Sequence, residues 1–200
     1  MIPLARAVVR GTSNTLVIAD LPFGSYEVSP EQALETGIRF LKESQAHAVK
    51  LEGGSRVIPQ ITTLVTYGIP VIGHLGMTPQ AVNGIGGFKV QGRAEGGDAI
   101  VADALALQEA GCSAIVLELV PAELAERITN TLTIPIIGIG AGAACDAQVL
   151  VWNDLMGLTE RPPRFARKYR DLRNEMILGI KEWIADVESG TFPSEKESFH

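Results

Sequence analysis

A parallel α/β fold of the (β/α)8-barrel type is predicted by the sequence, on three observations. Six short apolar runs recur along the chain: Thr15–Ala19, Ala48–Leu51, Pro70–Gly73, Ala114–Leu117, Pro135–Gly138 and, with a weaker pattern, Gln148–Trp152. Each is near-continuous in Val, Ile and Leu, as expected of strands buried on both faces in a parallel sheet. Amphipathic stretches alternate with these runs, which is the βα rhythm of a parallel α/β fold. Lastly, acids and a histidine stand at or just beyond several different run ends: Asp20, Glu52, His74 and Glu118. A barrel spreads its chemistry over the C-terminal ends of many strands, whereas an open doubly wound sheet gathers it at one crevice. Six runs are two fewer than a closed barrel of this type holds, so the expectation is a barrel truncated to about six βα units.

The helices carry their own signals. Ser29 with Gln32 makes a capping-box pattern, and Pro30 takes the first helical position. Ala33, Leu34, Ile38 and Leu41 then form one apolar stripe. Segments 57–67, 97–110 and 121–131 read as further helices, the first two closed by Gly68 and Gly111. A last helix is expected over 164–188, where Phe165, Tyr169, Leu172, Met176, Ile180, Trp183 and Val187 repeat at helical spacing. Such a stripe needs a partner surface. The whole chain, 1–200, is expected to be one incomplete barrel domain.

Composition narrows the function classes. Apolar residues make up 46% of the 200, enough for one buried core. The formal charge of −6 disfavours a nucleic-acid binder, which usually presents a basic face. No apolar run nears the ~20 residues needed to span a bilayer. The first residues lack the apolar core and small-residue cleavage site of a signal peptide. Two cysteines, Cys112 and Cys145, are too few and too distant for a disulfide scaffold or a zinc site. A reducing, cytoplasmic setting follows by default.

Five residues are candidates for chemistry. Asp20 ends its apolar run before Leu21-Pro22-Phe23-Gly24, and reads either as a turn cap or as a metal ligand. Lys50 and Glu52 are two apart, so both side chains fall on one face of a strand. A Lys and a Glu in apolar surroundings are costly unless paired or used, so a buried ion pair is the plainer reading. Glu118 interrupts Ile115-Val116-Leu117-Glu118-Leu119-Val120-Pro121, a place that suits a general base, or else an acid at the start of the next helix. His74, in Gly73-His74-Leu75-Gly76, is a substrate contact, a ligand or a satisfied core imidazole. The run Gly138-Ile139-Gly140-Ala141-Gly142 reads as a tight turn rather than a dinucleotide fingerprint. Together, hard carboxylate oxygens suited to Mg²⁺, a lysine and an isolated carboxylate fit a metal-assisted enolisation or lyase-type reaction.

Several strings go further. Ala19-Asp20-Leu21-Pro22-Phe23-Gly24-Ser25-Tyr26, Ala48-Val49-Lys50-Leu51-Glu52-Gly53-Gly54 and Gly73-His74-Leu75-Gly76-Met77-Thr78-Pro79-Gln80 resemble the ketopantoate hydroxymethyltransferases. So do Gly86-Gly87-Phe88-Lys89-Val90-Gln91-Gly92-Arg93, Leu117-Glu118-Leu119-Val120-Pro121 and Ile137-Gly138-Ile139-Gly140-Ala141-Gly142. The resemblance implies hydroxymethyl transfer from 5,10-methylenetetrahydrofolate to 3-methyl-2-oxobutanoate, toward pantothenate. It implies Asp20 and Glu52 as Mg²⁺ ligands, Asp20 and Lys50 as substrate contacts and Glu118 as proton acceptor. His74 lies in a matching string with no assigned role. A large homo-oligomer, commonly a decamer, is also implied.

The same resemblance marks a departure. Family members begin with two further βα units, the second ending in a Gly-Asp-Ser motif that contributes a metal-binding Asp and a substrate-binding Ser. Here Met1–Gly11 corresponds to the helix before the family's third strand. Three explanations follow: a longer cellular protein, an inactive truncated remnant, or a chain that closes its core by oligomerisation. The alternatives to the transferase are a 2-oxo-acid lyase of the phosphoenolpyruvate/isocitrate-lyase type and a non-catalytic chain that binds 2-oxo acid or packs on a full-length homologue.

Overall fold

The computed structural model describes residues 1–94 and 96–200, which form two compact units, Met1–Val149 and Leu150–His200. The first is a six-stranded, wholly parallel sheet: β1 (Ile18–Asp20), β2 (Ala48–Lys50), β3 (Val71–Gly76), β4 (Ala114–Glu118), β5 (Ile136–Ile139) and β6 (Ala147–Gln148). Spatial order follows chain order without reversal. That succession decides between the two parallel architectures, because a doubly wound sheet turns back on itself at a switch point and a barrel does not. β1 and β6 each pair on one side within this sheet.

Helices connect the strands. They are α1 (Ile2–Arg10), α2 (Pro30–Arg39), α3 (Ile58–Thr66), the single turn α4 (Val82–Ile85), α5 (Gly96–Glu109) and α6 (Ala122–Thr131). α2 starts as expected, with Ser29 Oγ accepting the Gln32 N–H at 3.2 Å. The Gln32 side chain reaches back to the Val28 N–H, one residue before the usual partner in a capping box. The core lies between sheet and helices. Val49, Val71, Ile115, Leu117 and Ile136 from the strands meet Ile61, Leu64, Leu107 and Ile128 from the helices, all fully buried.

Three strands differ from expectation by three residues or more at an end, and the first of them, β1, starts at Ile18 rather than Thr15. β3 runs to Gly76 rather than Gly73, because His74 and Leu75 pair in register with Val116 and Leu117 of the long central neighbour β4. This extension carries His74 inside the sheet. β6 is only Ala147–Gln148, since the chain enters the short helix α7 (Trp152–Leu155) where the sixth apolar run was expected to continue.

In the second unit the long helix is α8 (Leu172–Ser189), not 164–188. The residues before it are held in non-helical backbone pairing: the Tyr169 N–H donates to the Leu155 carbonyl and that of Leu172 to Met156. Among the described residues no helix is long and apolar enough to cross a membrane.

Candidate active site

The sheet brings all five candidates to the C-terminal ends of β1 to β4. Asp20 is the last residue of β1 and is register partner to Lys50, the last residue of β2. Their charges meet directly, with Lys50 Nζ 2.8 Å from Asp20 Oδ1. The pair is not an aligned hydrogen bond, and Asp20 Oδ1 is a buried oxygen without such a partner among the described residues. Beyond Lys50 the chain stays beside β3, as the Gly53 N–H donates to the His74 carbonyl at 3.1 Å. Glu52 is therefore carried next to the imidazole.

His74 is the hub. Its Nδ1 lies 3.3 Å from Lys50 Nζ and 3.5 Å from Glu52 Oε1, and its Nε2 lies 3.2 Å from Glu118 Oε2. Both His74 and Glu52 are only 3% exposed. Asp20, Lys50, Glu52, His74 and Glu118 thus lie in one chain of close charged contacts reaching from β1 to β4. Burial drives the imidazole toward its neutral form, but the carboxylates of Glu118 and Glu52 outweigh burial and the opposing Lys50 charge, and the His74 pKa is raised above its ordinary 6.5.

A consequence for stability follows. A group with a raised folded-state pKa contributes stability that is fully present below the unfolded pKa and is lost as pH climbs through the folded value. The urea midpoint of the metal-free chain should thus fall as pH rises above 6.5, and His74→Gln should flatten that dependence. An equally steep profile in the variant would show that His74 is not its source.

Sequence reasoning missed the residues that hold Glu52. The Gln80 N–H donates to Glu52 Oε2 at 3.0 Å, while the Gln80 side-chain amide donates to the Leu21 carbonyl at 2.8 Å. The Tyr26 hydroxyl donates to Gln80 Oε1 at 2.9 Å and accepts the Glu52 N–H at 3.3 Å. Tyr26 and Gln80 thus tie together the loops after β1, β2 and β3, leaving Glu52 Oε1 to face His74. Burial of Tyr26 raises its phenol pKa, so it stays a protonated donor. Both residues sit in strings already singled out, but nothing in spacing alone pairs Tyr26 with a residue 54 positions away.

Two glycines set close approaches. A Cβ on Gly76 would stand 2.2 Å from the Glu118 carbonyl oxygen, so this residue permits the approach of β3 and β4 beneath the site. A Cβ on Gly54 would collide with the Asp103 carboxylate, which accepts the Ser55 N–H at 2.8 Å and anchors the loop after Glu52 onto α5.

Among the described residues, no three His, Cys, Asp or Glu side chains gather to hold a metal ion. The donors at the ends of β1 and β2 are two carboxylates, Asp20 with its buried unaligned oxygen and Glu52. That number suits Mg²⁺, which is commonly held by one or two carboxylates and completes its shell with water and substrate.

Comparison with known proteins supports the fold and places the chain in a family. A structure of phosphoenolpyruvate phosphomutase from Streptomyces platensis subsp. rosaceus superposes with a TM-score of 0.56 at 13% identity, over 94% of this chain and 67% of that one. 2,3-Dimethylmalate lyase, a PEP mutase/isocitrate lyase superfamily member, gives 0.51 at 14% identity over 99% and 70%. These likenesses establish the fold. Sequence similarity is far closer to the 3-methyl-2-oxobutanoate hydroxymethyltransferase of Mycobacterium sp. (strain KMS), 56% identical over the whole chain and 71% of that protein. The enzyme of the same name from Rhodococcus jostii (strain RHA1) is 54% identical over the whole chain and 69% of its length. The sequence profile for ketopantoate hydroxymethyltransferase matches residues 1–195. On this similarity along nearly its full length, the chain belongs to the ketopantoate hydroxymethyltransferase family.

Proposed function

We propose that the chain catalyses transfer of a hydroxymethyl group from 5,10-methylenetetrahydrofolate to 3-methyl-2-oxobutanoate, giving 2-dehydropantoate, by way of an enolate. The observation that carries this reading is the His74 hub, which links the oxygen donor Glu52, the cation Lys50 and the carboxylate Glu118 within 3.5 Å steps. Asp20 and Glu52 would hold Mg²⁺, which when bound polarises the 2-oxo group of the substrate as a Lewis acid. Lys50, whose Nζ lies 2.8 Å from Asp20 Oδ1, holds the substrate's carboxylate. Glu118 takes the proton from C3, and His74 keeps the Glu118 carboxylate oriented. The resulting carbon nucleophile attacks the methylene carbon of the donor. That carbon leaves both folate nitrogens, which recover one proton each, one from C3 by way of Glu118 and one from water, whose hydroxyl stays on the transferred carbon.

A cytoplasmic setting fits two free thiols, Cys112 and Cys145. Homo-oligomerisation, with the decamer as the reference state, is supported by the exposed apolar side chains of α8, among them Met176, Ile180, Trp183 and Ile184.

The test is deuterium exchange at C3 of 3-methyl-2-oxobutanoate, followed by proton NMR in D₂O with Mg²⁺ and without folate. Exchange above the rate of buffer plus Mg²⁺, abolished by a chelator, is the expected result. A folded, soluble chain that leaves C3 unexchanged would exclude catalysis by these 200 residues and leave the non-catalytic 2-oxo-acid binder.

A further inference from the structure

A cavity of about 300 Å³ opens beside Glu52, with Phe23, Tyr26, Val57 and Gln60 in its walls and Glu27 and Arg56 also lining it. The volume is at the lower end of small-molecule sites, and the mixture of apolar walls with a few fixed polar groups is their usual make-up. Its polar groups are chiefly acceptors. Gln60, 8% exposed, spends its amide N–H on the Tyr26 carbonyl at 3.3 Å, and its Oε1 has no hydrogen-bond partner among the described residues. A buried acceptor left this way is costly unless a donor is brought to it. Glu27 is held by one oxygen, which accepts the Gly24 N–H at 2.8 Å and the Tyr26 N–H at 3.2 Å. Its other oxygen is left for a ligand. Phe23 is 74% exposed, an aromatic face that no packing need explains.

Such a lining selects against the 2-oxo acid. The Glu27 carboxylate would repel its negative charge, and Arg56 is the single cation among the lining residues. It selects for a flat heterocycle rich in N–H donors. We propose that this cavity receives the reduced-pterin ring of the one-carbon donor, stacked on Phe23 with its N–H edge toward Glu27 and Gln60. The assignment rests on the transferase reading above. It also explains the position of the cavity: Glu52 lies on its wall and is one imidazole away from Glu118, so the carrier's methylene faces the carbon that Glu118 deprotonates. Arg56, exposed and free of an ion pair among the described residues, is placed to meet the negatively charged tail of a folate.

The experiment is calorimetric titration of the full chain with tetrahydrofolate under anaerobic conditions, with the folate-free C3 exchange run in parallel on the wild-type protein. Phe23→Ala should weaken tetrahydrofolate about tenfold, the scale of losing one aromatic stacking partner. Ala81→Trp, which fills the cavity from its rim, should abolish binding, and Glu27→Gln should weaken it by a smaller factor. Urea midpoints of all three variants establish that they fold. Tetrahydrofolate that binds the wild type, Phe23→Ala and Ala81→Trp alike would overturn the cavity assignment, as would wild-type protein that exchanges C3 yet binds no tetrahydrofolate. Either result, obtained with exchange intact, leaves the transferase chemistry standing. Absence of both exchange and tetrahydrofolate binding would instead sink the reading on which the assignment rests.

Discussion

Gly76→Ala is expected to cost about 3–5 kcal/mol of stability, a large part of what a domain of this size has. Two effects add. The backbone at Gly76 has φ +91°, a region that a residue with a Cβ occupies only with strain of about 1–3 kcal/mol. The new methyl would also stand 2.2 Å from the Glu118 carbonyl oxygen and 2.8 Å from Val120 Cγ1. That same carbonyl accepts the Met77 N–H at 2.8 Å, so moving it away breaks a main-chain bond at the end of β3. Gly87→Ala is the control: its φ is +102°, but an added Cβ meets nothing within 4 Å. Urea denaturation should show Gly87→Ala losing only the strain, and Gly76→Ala losing strain and contact together. Equal losses would mean that the β3–β4 approach has slack enough to absorb a methyl. Any Gly76→Ala protein that still folds should exchange C3 more slowly than wild type, because the displaced carbonyl belongs to the proposed base itself.

The close β3–β4 approach was not visible in the sequence. Glu118 was readable as standing just beyond its apolar run, but the third run was expected to end at Gly73, three residues short of Gly76. That Gly76 and Glu118 are register partners depends on the pairing of two strands about 40 residues apart in sequence, which local pattern does not encode. Strand existence was legible because buried parallel strands are apolar on both faces. Strand ends were less so. β3 continues through His74 because β4 is long enough to pair with it, a tertiary cause. The start of the final helix was obscured for a similar reason. Phe165 and Tyr169 continue the apolar spacing of α8, but backbone pairing of Tyr169 with Leu155 overrides it.

The five candidate residues were legible as types at strand ends, and the structure joins them through one imidazole that had only open readings before. The acids and the lysine were singled out by their chemistry. Residues that act by geometry were not. Tyr26, Gln60 and Gln80 are ordinary neutral polar side chains, and their part in the site arises only from loops after β1, β2 and β3 converging on Glu52.

Glu118→Gln should slow Mg²⁺-dependent C3 exchange by about 10²–10⁴-fold, the range associated with loss of a positioned general base. The replacement keeps the side chain's length and leaves an oxygen to face His74, so packing in this mostly buried position, 12% exposed at the side chain, is retained. What is lost is the charge that accepts the proton. The same loss removes one of the two carboxylates that raise the His74 pKa, so imidazole titration followed by NMR should move down in the variant. These two readouts separate a chemical role from a structural one. A base acting on C3 predicts a collapsed exchange rate with a nearly unchanged urea midpoint. A carboxylate that serves only as a partner for His74 predicts a lower imidazole pKa with exchange preserved. His74→Gln completes the comparison: because the imidazole touches Glu118 and Glu52 but is assigned no proton from C3, its loss should slow exchange by less than Glu118→Gln. If His74→Gln proves the more damaging of the two, the base is the imidazole, and Glu118 is the residue that orients it.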